Sequence, residues 1–190
     1  MYYHDLDKFE DWDEQVLALK ENLGQLSPKI ERAIKIVKKY HDQPRMFSEG
    51  NYNRHPLRVA RILAEELSIT DETSVLIALC HDLGEWSNYD IDNLRNEFGN
   101  IVYEGVRTLT WNQKGEWVDF VNTIVNSKND DLIAIKIADK LDNNRATALS
   151  GNHEEKIKAN NKTVTVMLPL VKKYYPKMLN AYTEVLSRLE

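Results

Sequence analysis

His55, the adjacent pair His81-Asp82, and Asp139 place two imidazoles and two carboxylates on separate segments of the chain. Donors in that mixture suit Mn²⁺, Fe²⁺ or Co²⁺ better than a thiolate-bound structural Zn²⁺. Such a set also leaves coordination positions for a water and a substrate oxygen, as metal-assisted hydrolysis requires. His81 and Asp82 close the apolar run Leu76-Ile77-Ala78-Leu79-Cys80, and Asp139 interrupts another between Leu132 and Leu141. Ionisable groups buried there without partners would cost on the order of several kcal/mol. A shared cation supplies the partner.

Glu85 lies four residues beyond His81 and three beyond Asp82, on the same side if the helix persists past Gly84. Lys136 and Asn143 stand three residues before and four after Asp139, forming a polar stripe on an otherwise apolar helix. A cation, a carboxylate and an amide in line suit a phosphate ester held on a metal. Taken singly, each residue has an ordinary alternative. His55 before Pro56 could cap a helix, and Asp139 could pair with Lys140 or Arg145 at the surface. It is the coincidence of all four at interrupted apolar faces that favours a metal site. His4, His41 and His153 sit among polar residues and are expected to be solvated. Cys80 reads as a buried small residue.

The elements that must position these groups read as helices. Ile30, Ala33, Ile34, Val37 and Tyr40 recur at steps of three and four after Ser27-Pro28, a capping pair. Pro56 begins a helix carrying Leu57 to Leu67, and another runs from Thr70-Asp71 to His81-Asp82. Short helices follow over Ile91–Phe98, Ile101–Leu109 and Trp117–Val125, then a long one over Asp131–Leu149. Glu154–Leu189 reads as helix broken near Pro169 and Pro176. The polar stretch Asp42 to Asn53, beside His55, is a natural place for substrate contacts.

At 190 residues, 42% of them hydrophobic, the chain can bury a core, and an all-α single domain is expected. Within it, residues 1–26 read as a helical extension that caps the domain or joins a second copy, and 27–190 as the domain itself. A net charge of −5 argues against a nucleic-acid binder. The single Cys80 fits a reducing compartment. The polar, acidic start is unlike a targeting peptide, and no apolar run approaches the roughly 18 residues that span a bilayer. A cytoplasmic protein is expected, in which an oligomer is compatible with the sequence.

HPLRVARILAEELSITD, then ALCHDLGE, then IKIADKLDNNRATAL resemble the HD-type hydrolase domain of RelA/SpoT alarmone enzymes, particularly the small stand-alone forms. The likeness runs from about Tyr40 to Leu170 and includes Phe98-Gly99 and the TVTVMLPL stretch from Thr163. It implies an all-α HD domain and one divalent ion, usually Mn²⁺, on His55, His81, Asp82 and Asp139, with Fe²⁺, Co²⁺, Zn²⁺ or Ni²⁺ as alternatives. It further implies removal of the 3′-diphosphate from guanosine tetraphosphate, with Glu85 positioning or deprotonating the water. Arg45 matches a base-contacting arginine, and Asn143 an asparagine near the substrate. On this mechanism Lys136, Lys140 and Arg145 are candidates for phosphate contacts, and Tyr52 joins Arg45 at the base. Three positions differ from the pattern: Trp86 replaces the second acid of HD-x-x-E-D, SEGNYNRHP alters the loop before His55, and Lys162 replaces a glutamate. The alternatives are an HD-type nucleoside 5′-monophosphatase and a catalytically weak nucleotide-binding regulator.

Overall fold

In the computed structural model, which describes residues 11–41, 54–112, 114–150 and 152–189, the chain is helical, with no strand among the described residues. The helices are α1 (Trp12–Leu23), α2 (Pro28–Tyr40), α3 (Arg54–Glu65), α4 (Glu72–Cys80) and the single turn α5 (Leu83–Trp86). Then come α6 (Leu94–Phe98), α7 (Asn100–Leu109), α8 (Trp117–Asn126), α9 (Asp130–Leu149), α10 (His153–Lys162), α11 (Leu168–Tyr174) and α12 (Leu179–Leu186). A π-helical segment, Thr163–Met167, joins α10 to α11.

Local chemistry sets the helix starts. Ser27 accepts from the Ile30 N–H, and Pro28 fills the first turn of α2, where its missing donor costs nothing. Asp71 caps α4 through the Ser74 N–H, and Asn129 caps α9 through the N–H groups of Asp131 and Leu132. Gly99, at φ 96°, ends α6 and lets the chain re-enter α7 at once, a backbone state open to glycine.

α3 packs on α1, α4 and α9, and α4 also meets α2 and α7. Every residue of α4 from Ser74 to Cys80 is buried, as are Leu132 to Ile135 and Ile137 to Leu141 of α9, apart from the half-buried Lys136 and Lys140. Helices apolar on nearly every side belong at the centre of a bundle. Each leucine fully enclosed here, such as Leu57, Leu63, Leu76 and Leu79, contributes about 1.5–3 kcal/mol by leaving water. α1 joins the same core through Leu19, while the buried Gln15 accepts from Arg61 Nη1 at 2.7 Å.

The helix does not break at Pro169. The π segment carries α10 into α11, with the Leu168 N–H reaching back to the Thr163 carbonyl, and Pro169 lands in the first turn of α11 where no donor is required. The chain breaks at Tyr175-Pro176 instead. Thr163 is fully buried; its hydroxyl donates to Ala159 O and accepts from Asn144 Nδ2, both at 2.7 Å. That contact pins the π segment to α9. Among the described residues no helix is long and apolar enough to cross a membrane.

Gly84 sets how closely α5 approaches the end of α7. A Cβ there would lie 2.9 Å from Thr110 Oγ1 and 3.0 Å from its Cγ2, and the Thr110 hydroxyl is held by Val106 O. Gly84→Ala should therefore destabilise the protein by about 1–3 kcal/mol, read from its denaturation midpoint. An unchanged midpoint would mean that Thr110 swings aside without cost.

Candidate metal centre

His55 stands in the first turn of α3, His81-Asp82 form the turn between α4 and α5, and Asp139 lies in the middle of α9. The three central helices thus bring the four together, each buried, in the interior. His55 Nε2 lies 3.4 Å from Asp82 Oδ2 and 3.2 Å from Asp139 Oδ1. His81 Nε2 lies 3.1 Å from Asp82 Oδ1 and 3.8 Å from Asp139 Oδ1. Ligand atoms of His55, His81 and Asp82 all fall within 4.8 Å of one another. Neighbouring donors around one ion at about 2.1 Å would be separated by roughly 3 Å, a spacing that this trio could meet around one divalent cation, while Asp139 approaches it through the two imidazoles.

The outer face of each imidazole is fixed. His81 Nδ1 lies 2.8 Å from the Ala78 carbonyl, which must accept its proton, and this leaves Nε2 as the free lone pair. His55 Nδ1 lies 2.6 Å from Asp142 Oδ2, and Asp142 also accepts from Arg58 Nε at 2.8 Å and Nη2 at 3.1 Å. Asp142 is almost wholly buried and orients His55, so that both Nε2 atoms face Asp82 and Asp139. Sequence reasoning missed Asp142 and Arg58. The available signal was spacing: Asp142 follows Asp139 by three residues and Arg58 follows His55 by three, each one turn along the same helix.

Electrostatics show the same focus. Burial alone would lower the pKa of His55, but hydrogen bonds to Asp139, Asp142 and Asp82 outweigh it and hold it at about 9. Burial also opposes the charged forms of Asp82 and Asp139, yet the facing His81, His55 and Lys136 hold both well below the usual carboxylate range. The pull that keeps protons on the imidazoles is the pull available to a cation.

Lys136 Nζ donates to Asp139 Oδ2 at 2.8 Å and Asn143 Nδ2 to Oδ1 at 2.6 Å, so the polar stripe on α9 braces the carboxylate. Glu85 comes close behind the cluster and accepts from the Trp111 backbone N–H. Burial first, and the charge of Asp82 next, raise its pKa to about 7. Lys140 lies 5.8 Å from the Trp117 ring. Arg145 points elsewhere: it forms a two-pronged ion pair with Glu66, at 2.6 and 3.0 Å, on the side of α9 facing α12. Arg45 and Tyr52 fall outside the described residues. His41, expected in solvent, is fully buried, and Asp82, His81 and His55 act on its charge. As the residue that ends α2, it is folded inward by packing that its polar sequence neighbours conceal.

The HD domain family model matches residues 52–144. A GTP pyrophosphokinase of Streptomyces antibioticus is 30% identical over 148 residues, 74% of this chain and 17% of that protein. The guanosine-3′,5′-bis(diphosphate) 3′-pyrophosphohydrolase of Aquifex aeolicus is 27% identical over 83% of this chain and 23% of its own length. The human guanosine-3′,5′-bis(diphosphate) 3′-pyrophosphohydrolase MESH1 is 37% identical over 82 residues, 43% of this chain and 46% of MESH1. The chain therefore spans less than half of each of these relatives. A solved structure of a metazoan ortholog of SpoT, described as hydrolysing ppGpp, superposes with a TM-score of 0.73 at 24% identity. It covers 86% of this chain and 96% of its own, and the two share an all-α fold.

If Asp142 orients His55, Asp142→Asn should weaken divalent-metal affinity about 10–100-fold with the helical circular dichroism unchanged. Affinity equal to the wild type in chelator competition would remove that role.

Proposed function

We propose that this chain, whose residues 52–144 match the HD domain, is a metal-dependent phosphohydrolase that removes the 3′-diphosphate of guanosine tetraphosphate as pyrophosphate. The observation that carries this reading is the convergence of two oriented imidazoles and two ionised carboxylates beside a half-buried glutamate. Two of the cited relatives, the Aquifex and human proteins, are named for that reaction.

On this reading His55, His81, Asp82 and Asp139 hold one divalent ion, with Mn²⁺ the ion that the family resemblance implies. When bound, the ion supplies Lewis-acid activation of water and neutralises charge at phosphorus. Glu85 takes the proton of the attacking water. One of its oxygens is occupied by the Trp111 N–H, which fixes the carboxylate, and a pKa near 7 suits a base working at neutral pH. The water oxygen bonds to phosphorus as the bond to the ribose 3′-oxygen breaks, and the proton taken by Glu85 passes to that oxygen as it leaves. Lys136 braces Asp139 with one N–H and has further donors to offer a phosphate oxygen, with Lys140 one turn along. Asn143 holds the inner oxygen of Asp139.

Trp86, more than a third exposed directly after Glu85, favours one rival reading, a nucleoside 5′-monophosphatase. The two separate by product. With Mn²⁺ supplied, guanosine tetraphosphate should yield GDP and pyrophosphate on anion exchange. Orthophosphate from nucleoside monophosphates alone would move the protein to the nucleotidase branch.

Glu85→Gln should bind metal stoichiometrically yet lose about 10²–10⁴-fold in rate; full activity would discard the base. Asp139→Ala should lose stoichiometric metal as well as turnover, and retained metal would sink that ligand.

A further inference from the structure

A cleft of about 390 Å³ opens between α2 on one wall and, on the other, the 3₁₀ turn Ile91–Asn93 with α6. None of the residues that line it belongs to the His/Asp cluster. Its volume falls within the range of small-molecule sites, about 300–1,000 Å³. The two walls are tied together. Arg32 on α2 donates to Glu97 on α6 through Nε at 3.0 Å and Nη2 at 2.6 Å. Tyr40, the last residue of α2, meets Tyr89 edge to face with ring centroids 5.0 Å apart.

Charge in the cleft is unbalanced. Glu97 is the one acid among the lining residues, and Arg32 matches it. Lys35 and Lys39 line the cleft as well, both exposed, and among the described residues neither forms an ion pair. They stand four residues apart on α2, where like charges repel by about 0.2–0.5 kcal/mol. The helix C-terminus favours Lys39, in the last turn, but Lys35 lies one turn back from it. Other cations of the same helix are engaged: Lys29 faces Glu72 at 3.8 Å, and Lys38 lies 5.1 Å from the Trp12 ring centroid. In a chain of net charge −5, two uncompensated ammonium groups on the wall of a braced cleft form a local well for an anion.

The remaining lining is polar and uncharged or aromatic. Asn93 and Asn96, both exposed, present amide donors and acceptors, and the two tyrosines present ring surface. Such a lining suits a neutral body that carries hydroxyl groups. We propose that this cleft is a second ligand site, which binds a sugar phosphate with its phosphoryl group between Lys35 and Lys39 and its hydroxyl-bearing body against Asn93 and Asn96. Lysine holds phosphate as a point charge, so two of them a turn apart grip the group without fixing its orientation, and the amides set the register of the sugar. The site is independent of the reaction at the His/Asp cluster.

The test is calorimetric titration of ribose 5-phosphate and of ribose into the Mn²⁺-supplied protein. Wild type should bind ribose 5-phosphate at least about tenfold more tightly than ribose. The double variant Lys35→Gln/Lys39→Gln should weaken that binding about tenfold or more, and Lys35→Arg/Lys39→Arg should keep it. Asn96→Trp, which fills the cleft from an exposed position and leaves the charge unaltered, should weaken it to a similar degree. Manganese affinity should be the same in all of these proteins. No binding by wild type, equal binding of ribose and ribose 5-phosphate, or wild-type affinity in either Asn96→Trp or the double glutamine variant would overturn the site. Binding that survives Asn96→Trp but disappears with Asp139→Ala would place the phosphoryl group at the His/Asp cluster and likewise overturn it.

Discussion

Asp142 ties the arrangement together. Its carboxylate, almost wholly out of water, contacts His55 with one oxygen and accepts from Arg58 with both. Either cationic partner alone would leave a buried charge poorly compensated, and such imbalance costs several kcal/mol when one member of a buried set is lost. The interaction joins α3 to α9 at the level of the His/Asp cluster. It also decides which nitrogen of His55 faces inward. Tertiary packing and coordination chemistry thus meet in one side chain.

Around that point the bundle behaves as a frame for groups that would otherwise be unfavourable inside it. The leucines and isoleucines of α3, α4 and α9 supply the burial energy. The four interior donors spend some of it. Capping and turn chemistry set the register: Asp71 starts α4 so that it closes at Cys80, and the chain turns through His81-Asp82 into the short α5. Gly84 then lets that turn lie against Thr110, next to the Trp111 N–H that Glu85 requires.

Much of this was legible in the sequence, because periodicity and interrupted apolar runs report local structure directly. The long helix around Asp139 and the run ending at His81 were expected, and both lie in the core. What escaped was decided at long range. His41 looks polar in its neighbourhood but is enclosed by elements distant in sequence. Arg145 shares α9 with Asp139, yet the twist of the helix carries it to Glu66. Asp142 sits in a run of polar residues, where its three-residue step from Asp139 places it on the same side of the helix but does not by itself separate an orienting carboxylate from a solvated one. Pro169 signals a break by its chemistry, and the π segment removes the need for one.

Cys80 gives the centre a further property. It directly precedes His81 of the buried cluster, yet its thiol is buried in the apolar core, and that burial pushes its ionisation far up. A thiol enclosed in the apolar core and held protonated by burial is poorly placed to bind a metal, although a sulfur lies one residue away from His81. Discrimination between ions is then left to nitrogen and oxygen donors, which follow the general order of divalent affinities and hold little preference of their own. The occupant of such a centre would be set by the free concentrations of competing ions around it, making the protein's metallation a readout of the metal supply in its compartment.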